Sequence, residues 1–448
     1  MQTALEPVRA SERVAAIDVI RGFALLGILG PNILAFSWPS SVQFAPEVMS
    51  DALALTSHAS PNDRANELGH TLVQVFFHGK MMCLFSMLFG AGVLLYARKF
   101  EREPGDACFA CGLDLTTIDA GPRVRCPKCG RRNPARAPRL SDGAALWYTR
   151  CVWLLAIGLL HAFLLWYGDI LVWYALTGLG LVWWIRRIRP VAQIVLGVLL
   201  YLFGTATLTG FMLLGLHYQG PEALLGNWAG EVRAYTGAYT DAFTIRTGQL
   251  LFTYLFLLPL GFGFSLTGLM TLGMALTRLG VLTGQRSDRF YLLLCVSGLS
   301  LGLTLTLVLL ALLDRTVQLP GFIFMGAGQL VGIPTALGYA SALILLVRRG
   351  WLTPLTHALS AVGRMALSNY LLQTILCTTL FYGYGVGLFG RVQYPALWLV
   401  VGGVWLTNIV FSLLWLRFFR FGPAEWLWRS LTYLKLQPMR RAPANSPG

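Results

Sequence analysis

Four cysteines form two CxxC pairs in a polar stretch between two apolar segments, and their spacing is typical of a zinc site. The pairs are Cys108 with Cys111 and Cys126 with Cys129, and a glycine follows each second cysteine. Two thiolates of one pair can reach the same tetrahedral metal ion, and the glycine permits the tight turn behind the sulfur. Four thiolates fill the coordination sphere, so we predict a structural Zn²⁺ that holds a small zinc ribbon together.

Charged and polar side chains also occur inside the first long apolar segment, which carries Asp18, Arg21 and Asn32. Because an α-helix turns about 100° per residue, these three residues share one stripe of the helix. Ionisable residues are costly inside a membrane and are retained for a purpose. We predict that Asp18 pairs with Arg21, and that the stripe either fixes helix packing or lines a polar cavity.

A histidine and an aspartate lie on the two sides of a short turn. His161 is near the end of one apolar segment, and Asp169 follows a Tyr167-Gly168 turn at the start of the next. Helices joined by so short a turn are antiparallel neighbours, so the two side chains can meet. A carboxylate that orients an imidazole makes the simplest general-base pair. The alternative is a histidine buried for packing alone.

Two further groups of polar residues are candidates for a substrate site. His70 and His78 are eight residues apart and would share one side of a helix, where either could act as a base or lie at the membrane interface. A polar stripe runs along a later helix and contains Arg364, Asn369 and Gln373. Hydrogen bonds between helices would by themselves explain this stripe.

The composition identifies the elements that must position these residues. The chain has 448 residues, of which 56% are hydrophobic and only 12% charged, with a mean hydropathy of +0.61. These values are typical of a polytopic membrane protein. We predict an all-α fold of about ten transmembrane helices, with a small cytoplasmic zinc-ribbon insert. The helices are expected at 14–37, 71–97, 144–166, 169–186, 191–216, 248–276, 290–313, 322–347, 362–384 and 395–417.

Lys and Arg are concentrated in alternate connections, and such residues are retained in the cytoplasm during insertion. This bias predicts a multi-pass membrane protein with both termini in the cytoplasm. The zinc ribbon then faces a reducing compartment, which favours zinc over two disulfides. Attraction to anionic membrane lipid explains the net charge of +15, so no nucleic-acid partner is expected. No cleavable signal peptide is evident.

We predict six segments along the chain. They are an N-terminal transmembrane pair with an external loop (1–97), the zinc-ribbon insert (98–142), three transmembrane helices (143–216), an external amphipathic loop (217–247), a C-terminal transmembrane domain (248–436) and a cytoplasmic tail (437–448). In the external loop, aromatic residues recur at roughly helical spacing and suit one interfacial helix, either as a membrane anchor or as a lid. These residues are Trp228, Tyr235, Tyr239 and Phe243.

The same motifs resemble the YeiB family of bacterial membrane proteins, whose C-terminal part is a domain of unknown function (DUF418). The resemblance begins with R-xxxx-D-xx-R-G at Arg13, Asp18, Arg21 and Gly22, and includes the Asn32 position. It continues through LFSMLFGAG (84–92), GLLHAFLLWYGDIL (158–171) and the stretches at 363–390 and 416–433. The zinc ribbon is not part of the usual family pattern, and we interpret it as an insertion into that pattern.

The family is more distantly similar to the transmembrane acyltransferases, which include the lysosomal heparan glucosaminide acetyltransferase and bacterial glycan O-acyltransferases. In the heparan enzyme, a comparable D-xx-R-G helix is followed by an asparagine at the Asn32 position and then by a catalytic histidine. Gln43 stands at that last position here. The catalytic histidine therefore does not carry over, and His70, His78 or His161 would have to replace it.

The resemblance implies an acyltransferase-like enzyme that moves an acyl group from cytosolic acetyl-CoA to an extracytoplasmic glycan or lipid-linked sugar. His161, oriented by Asp169, would be the base, and Asn32 would polarise the acyl carbonyl. Arg21 and Arg364 would hold the anionic part of the donor. The remaining predicted substrate-site residues are Asp18, His70, His78 and Asn369.

Two other functions fit the same residues. In a transporter for a small metabolite, Asp18, Arg21, His161 and Asp169 would bind substrate or couple protons. An inverted repeat or a pair of matching interrupted helices would favour a transporter. The sequence shows neither feature. In a non-enzymatic membrane scaffold, the zinc ribbon would recruit a cytosolic protein partner.

Overall fold

The computed structural model describes residues 15–43, 45, 48–57, 62–97, 140–316 and 320–441. Within these ranges the chain is helical, and its one strand-like feature is an isolated bridge between Phe419 and Arg440. The four cysteines of the zinc ribbon and Arg13 lie outside the described residues. The zinc site therefore stays a prediction.

The first half of the described chain contains ten helices. They are α1 (Ala15–Ser37), α2 (Val48–Thr56), α3 (Asp63–Phe76), α4 (Lys80–Ala97), α5 (Leu140–Leu164), α6 (Leu171–Leu179), α7 (Val182–Ile185), α8 (Pro190–Leu225), α9 (Trp228–Thr236) and α10 (Tyr239–Phe252). A 3-10 turn at Ser40–Gln43 follows α1.

The second half contains eight more helices. They are α11 (Gly263–Arg278), α12 (Asp288–Thr316), α13 (Pro320–Ala327), α14 (Gly332–Arg349), α15 (Thr353–Arg364), α16 (Ala366–Phe381), α17 (Tyr394–Phe418) and α18 (Pro423–Tyr433). A π-helical stretch, Thr253–Phe262, joins α10 to α11 without a turn.

Eight segments of the described chain are long and apolar enough to cross a membrane. They are Ala15–Ser37, Asp63–Ala97, Gly143–Leu164, Pro190–Leu225, Tyr239–Arg278, Asp288–Arg315, Gly321–Arg349 and Tyr394–Phe418. This confirms the multi-pass, all-helical class, but not the count of ten. The expected helix at 169–186 is divided at Gly180, and that at 362–384 is the shorter helix α16, which starts after a break at Met365.

The segment 217–247 forms more than the single interfacial helix that its aromatic spacing suggests. Helix α8 continues through a kink at Gly220 to Leu225, and α9 and α10 then follow. The new start of α10 is fixed locally, because the Asp241 carboxylate accepts a hydrogen bond from Ala238 N at 3.2 Å. Such a side-chain cap satisfies a backbone donor that a helix start leaves free.

Two of the membrane segments contain an interruption of the regular α-helix, which the sequence did not indicate. Helix α3 ends before Gly79, whose φ of +73° is left-handed, and α4 begins at Lys80. His70 and His78 are therefore not on one helix face as predicted. The second interruption, between α13 and α14, is milder, because the chain tightens into a 3-10 turn at Gly328–Val331 and its flanking residues keep right-handed helical angles.

The core lies around α1 and α4. In α1, 78% of the most apolar 18-residue window is buried, against 17% in α12. Glycines allow α1 to touch its neighbour α15 backbone to backbone. A Cβ on Gly22 would lie 1.9 Å from Leu359 O, and one on Gly363 would lie 1.9 Å from Asp18 O. Helix α1 is thus held at the centre of the bundle, where its polar stripe is enclosed by other helices.

Candidate active site

Three side chains from separate parts of the chain form a hydrogen-bonded row inside the bundle, and we call it the Asp169–His161–Thr374 row. His161 Nδ1 lies 2.7 Å from Asp169 Oδ1, and His161 Nε2 lies 2.9 Å from Thr374 Oγ1. Each of the three residues is at most 2% exposed. The row joins the end of α5, the turn after it and the middle of α16.

The turn between α5 and α6 holds Asp169 in one orientation. Its second carboxylate oxygen, Oδ2, accepts a hydrogen bond of 2.7 Å from Val172 N in the first turn of α6. The neighbouring Ile170 N donates to the Tyr370 hydroxyl at 3.2 Å. Gly168 packs so closely on the Trp166 ring that a Cβ would lie 2.4 Å from it. The carboxylate thus faces the imidazole with little freedom to turn away.

These contacts determine where the proton of the imidazole sits. An ionised Asp169 can only accept, so Nδ1 carries the hydrogen and Nε2 accepts from the Thr374 hydroxyl. Thr374 Oγ1 also lies 3.3 Å from Tyr370 O. If His161 takes up a second proton, Nε2 donates to Thr374 Oγ1, whose own hydrogen turns to Tyr370 O. Both protonation states of the imidazole therefore keep their hydrogen-bond partners.

Arg246 of α10 fixes the end of α5 that carries His161. Its Nε donates to Phe163 O at 2.8 Å and its Nη1 to Leu165 O at 2.9 Å. These carbonyls belong to the last turn of a helix, where they lack partners within the helix. The guanidinium is fully buried, so it acts as a positioning group for α5. Its signal in the sequence is a single arginine close to a long apolar run.

Asp18 and Arg21 form the predicted ion pair, with Arg21 Nη1 2.9 Å from Asp18 Oδ1. The same Nη1 lies 3.5 Å from Gly363 O, so Arg21 reaches the end of α15 directly before Arg364. One helical turn further along α1, Leu25 O accepts a hydrogen bond from Gln373 at 3.3 Å. The ion pair thus lies about one helical turn along α1 from the contact with Gln373, the residue that precedes Thr374. It does not contact the row itself.

The other predicted residues lie apart from the row. Asn369 donates to Val362 O at 3.2 Å and to Ser412 Oγ at 2.7 Å, which ties α15, α16 and α17 together. This geometry favours the interhelical role that the stripe allowed. Asn32 is half-buried, and none of the hydrogen bonds within the described ranges joins it to His161 or Thr374.

His70 and His78 sit near the break between α3 and α4. His70 Nε2 lies 3.0 Å from Gln43 O and 3.2 Å from Gln74 Nε2. The His78 ring is 5.8 Å from the ring of Phe324. Neither histidine contacts the row. Gln43 donates to the Tyr167 hydroxyl at 3.4 Å and so touches the turn that carries Asp169.

A half-buried carboxylate closes the same end of the bundle. Glu231 of α9 accepts hydrogen bonds from Ser40 Oγ at 2.7 Å and from Ser40 N at 2.8 Å. Burial raises the pKa of Glu231 above its usual range and also raises that of the nearby Tyr167. The contact attaches α9 to the turn after α1.

Thr374 and Arg246 are the functional candidates that the sequence pattern missed. Thr374 follows Gln373 in the polar stripe of α16, yet a threonine in an apolar helix is unremarkable because its hydroxyl can bond to its own helix. Its partner His161 is 213 residues away.

Within the described residues, no group of three His, Cys, Asp or Glu side chains could hold a metal ion.

Comparison with known proteins gives relatives but no activity. A family model described as a protein of unknown function (DUF418) matches residues 276–435. The chain is 33% identical to "Uncharacterized protein YeiB" of Escherichia coli (strain K12), over 94% of this chain and 96% of that protein. It is 29% identical to "Uncharacterized protein YxaH" of Bacillus subtilis (strain 168), over 98% and 99% of the two chains. No solved structure matches.

Proposed function

Because the chain belongs to the YeiB family, we propose a function from its own residues: transfer of an acyl group to an acceptor hydroxyl, with His161 as the proton acceptor. The Asp169–His161–Thr374 row is the observation that supports this proposal. A buried imidazole that is oriented by a carboxylate on one side and faces a hydroxyl on the other is the arrangement that activates hydroxyl groups.

The proposed reaction converts a thioester and a hydroxyl into an ester and a thiol. The acceptor hydroxyl loses its proton through Thr374 Oγ1 to His161 Nε2 while its oxygen forms a C–O bond to the acyl carbon. The C–S bond of the donor breaks, and His161 returns the proton to the leaving thiolate. Asp169 stabilises the imidazolium in between. General-base help of this kind contributes about 10²- to 10⁴-fold in rate.

Donor and acceptor are assigned by chemistry. An acyl thioester such as acetyl-CoA carries phosphates, and arginines bind phosphates through paired donors. Arg21 reaches the end of α15 next to Arg364, so the two are proposed to hold the donor, with Asp18 orienting Arg21. Asn32 is proposed to polarise the acyl carbonyl. The acceptor is proposed to be a glycan or lipid-linked sugar on the outer face of the bacterial inner membrane, with both termini in the cytoplasm.

A transfer assay on the full-length protein in detergent tests the proposal. Labelled acetyl-CoA is supplied with membrane lipid and cell-envelope extract as acceptors. We expect His161→Gln to lower the transfer rate about 10²- to 10⁴-fold, while His217→Gln, at an exposed histidine, leaves it unchanged. Gel filtration and thermal unfolding control for folding. A folded His161→Gln variant with the wild-type rate would contradict the proposal.

A transporter is the second candidate, and one observation favours it. Two interrupted membrane helices, α3/α4 and α13/α14, meet at their breaks, because a Cβ on Gly79 would lie 3.8 Å from Gly328 O. Facing helix breaks at mid-membrane depth are common at transporter binding sites. Uptake into vesicles that contain the purified protein, without any acyl transfer, would favour this function over the enzyme.

The zinc ribbon is proposed as an accessory in either case. Its four thiolates suit a structural Zn²⁺ and leave no open position for catalysis. We propose that it contacts anionic lipid or a cytosolic protein partner. Removing residues 104–134 should then leave transport or transfer intact and abolish the partner complex in a pull-down. Loss of the membrane activity itself in a correctly inserted deletion variant would contradict an accessory role.

A further inference from the structure

The two interrupted membrane helices meet at a place that we call the helix-break junction, formed by residues 77–80 and 328–332. Besides the approach of Gly79 to Gly328, a Cβ on Gly332 would lie 3.0 Å from Cys83 Sγ. The Tyr201 hydroxyl donates to Gln329 O and lies 3.5 Å from Cys83 Sγ. Helix α8, which carries Tyr201, therefore closes a third side of the junction.

A fully buried cation sits at this junction. Lys80, the first residue of α4, is 0% exposed, and its Nζ donates one hydrogen bond, of 2.7 Å, to Gln74 O. Among the residues that the structure describes, no carboxylate lies within 4.0 Å of Nζ. Arg21 and His161, in contrast, each have an aspartate partner. A buried ammonium without a counter-ion is strongly unfavourable, and such groups in membranes mark binding sites.

Polar acceptors without donors lie in the same region. The side-chain oxygens Oε1 of Gln74 and Gln329 are buried and have no hydrogen-bond partner. Both residues are at most 4% exposed. Lys80 therefore lacks a negatively charged partner, and the amide oxygens lack at least one hydrogen-bond donor. An unmade hydrogen bond of a buried group costs its full desolvation.

The start of α4 at the junction also favours a negative charge. The N-terminus of α4 begins at Lys80, and the positive end of a helix dipole favours a negative charge there. His78 and Gly79, which precede Lys80, remain partly exposed at the surface of the molecule.

We infer that the helix-break junction binds a small hydroxycarboxylate, with its carboxylate on Lys80 and its hydroxyl donating to the amide oxygen of Gln329. One molecule of this class supplies both missing partners. The site does not use the Asp169–His161–Thr374 row, so it stands or falls separately from acyl transfer.

Thermal unfolding of the full-length protein in detergent tests the site with three sodium salts at equal concentration: L-lactate, propionate and chloride. Lactate and propionate differ only by a hydroxyl. A ligand that binds the native state raises the unfolding temperature, so we expect lactate to raise it most, propionate less and chloride least. Equal effects of all three salts would overturn the inference. Equal effects of lactate and propionate would overturn the role of Gln329.

Substitution of Lys80 separates binding from a structural role. Lys80→Met keeps the length of the side chain and removes its charge, and Lys435→Met, at an exposed lysine, is the matched control. We expect lactate to bind Lys80→Met about tenfold to a hundredfold more weakly, because a charge-assisted hydrogen bond is lost. The ligand-free variant should unfold at a higher temperature, since an unpaired buried charge is gone. A lower unfolding temperature with unchanged lactate binding would overturn the inference.

Two further variants complete the test. Gln329→Leu should abolish the difference between lactate and propionate while both still bind, which gives a result even if Lys80→Met does not fold. His161→Gln should bind lactate as the wild type does. Loss of lactate binding in His161→Gln would contradict the independence of the junction from the row.

Discussion

At the scale of single residues, the Asp169–His161–Thr374 row offers hydrogen-bond partners for both protonation states of its imidazole. His161 has a carboxylate on one nitrogen and a hydroxyl on the other, and that hydroxyl has a second acceptor in Tyr370 O. A buried histidine that served packing alone would need only one state to be satisfied. The second acceptor for Thr374 is what favours a role in proton transfer.

Thr374 tests this difference most directly. Thr374→Val keeps the shape of the side chain but leaves His161 Nε2 buried without a donor, so we expect about 1–3 kcal/mol of lost stability. Acyl transfer should fall as far as in the His161 variant, whereas Thr374→Ser should retain both properties. Rates in the transfer assay and thermal unfolding measure the two effects.

The outcome for Thr374 also distinguishes a relay from a covalent carrier. In the proposed reaction the hydroxyl only passes a proton, so intact-protein mass spectrometry after incubation with acetyl-CoA should show no acetyl group on Thr374. An acetylated Thr374 that is released to acceptor would replace the relay with a two-step transfer. A Thr374→Val variant with the wild-type rate would contradict both.

At the scale of elements, glycine contacts decide how closely the polar stripe of α1 is enclosed. Gly363 has its α carbon directly against the carbonyl of Asp18 in α1. We expect Gly363→Ala to force α15 away from α1 and to cost about 1–3 kcal/mol or more, as overpacking does. Thermal unfolding measures this loss, and the donor binding proposed for Arg21 should weaken with it.

A control for this prediction exists in another membrane helix. A Cβ on Gly402 of α17 would meet no atom within 4 Å, so Gly402→Ala should be neutral or should stabilise the protein by about 0.5–1 kcal/mol through helix propensity. Equal destabilisation by the two alanine variants would contradict the backbone contact between α1 and α15.

The attachment of α9 to the turn after α1 predicts a pH dependence. Burial raises the folded-state pKa of Glu231 above its ordinary value of 4.5. The folded protein therefore holds this proton more tightly than the unfolded chain does. The contribution to stability is fully present below pH 4.5 and is lost as the pH rises through the raised pKa. Glu231→Gln should flatten this part of the curve of unfolding temperature against pH, and an unchanged slope would contradict the assignment.

At the scale of the whole molecule, the described bundle contains the Asp169–His161–Thr374 row and the helix-break junction, and the sequence predicts a separate zinc-binding module, the zinc ribbon. Zinc should be bound by the module in a ratio of about one ion per chain, since four thiolates complete one tetrahedral site. Metal analysis of the purified protein should show that Cys108→Ser lowers the zinc content. Cys295→Ser, at a half-buried free cysteine of α12, should leave it unchanged. Equal zinc content in both variants would contradict the proposed ligands.

Much of the architecture followed from one-dimensional patterns. Apolar runs predicted the membrane class and most of the membrane segments, because the length of a span is dictated by the thickness of the bilayer. Local spacing likewise predicted the Asp18–Arg21 pair and the approach of His161 to Asp169 across a short turn. Each of these features involves residues less than about three helical turns apart, where backbone geometry alone restricts the possible contacts.

The interrupted helices and the partners across the bundle required the tertiary structure. Thr374 meets His161, Arg246 reaches the end of α5, and the break at Gly79 packs on Gly328 only when many helices are assembled. A helical period tells which face of one helix is polar, but not which distant helix that face will touch. The sequence by itself therefore determined the membrane class and the polar groups. The tertiary structure decided which of those groups act together, because helix packing brings distant parts of the chain within hydrogen-bond distance.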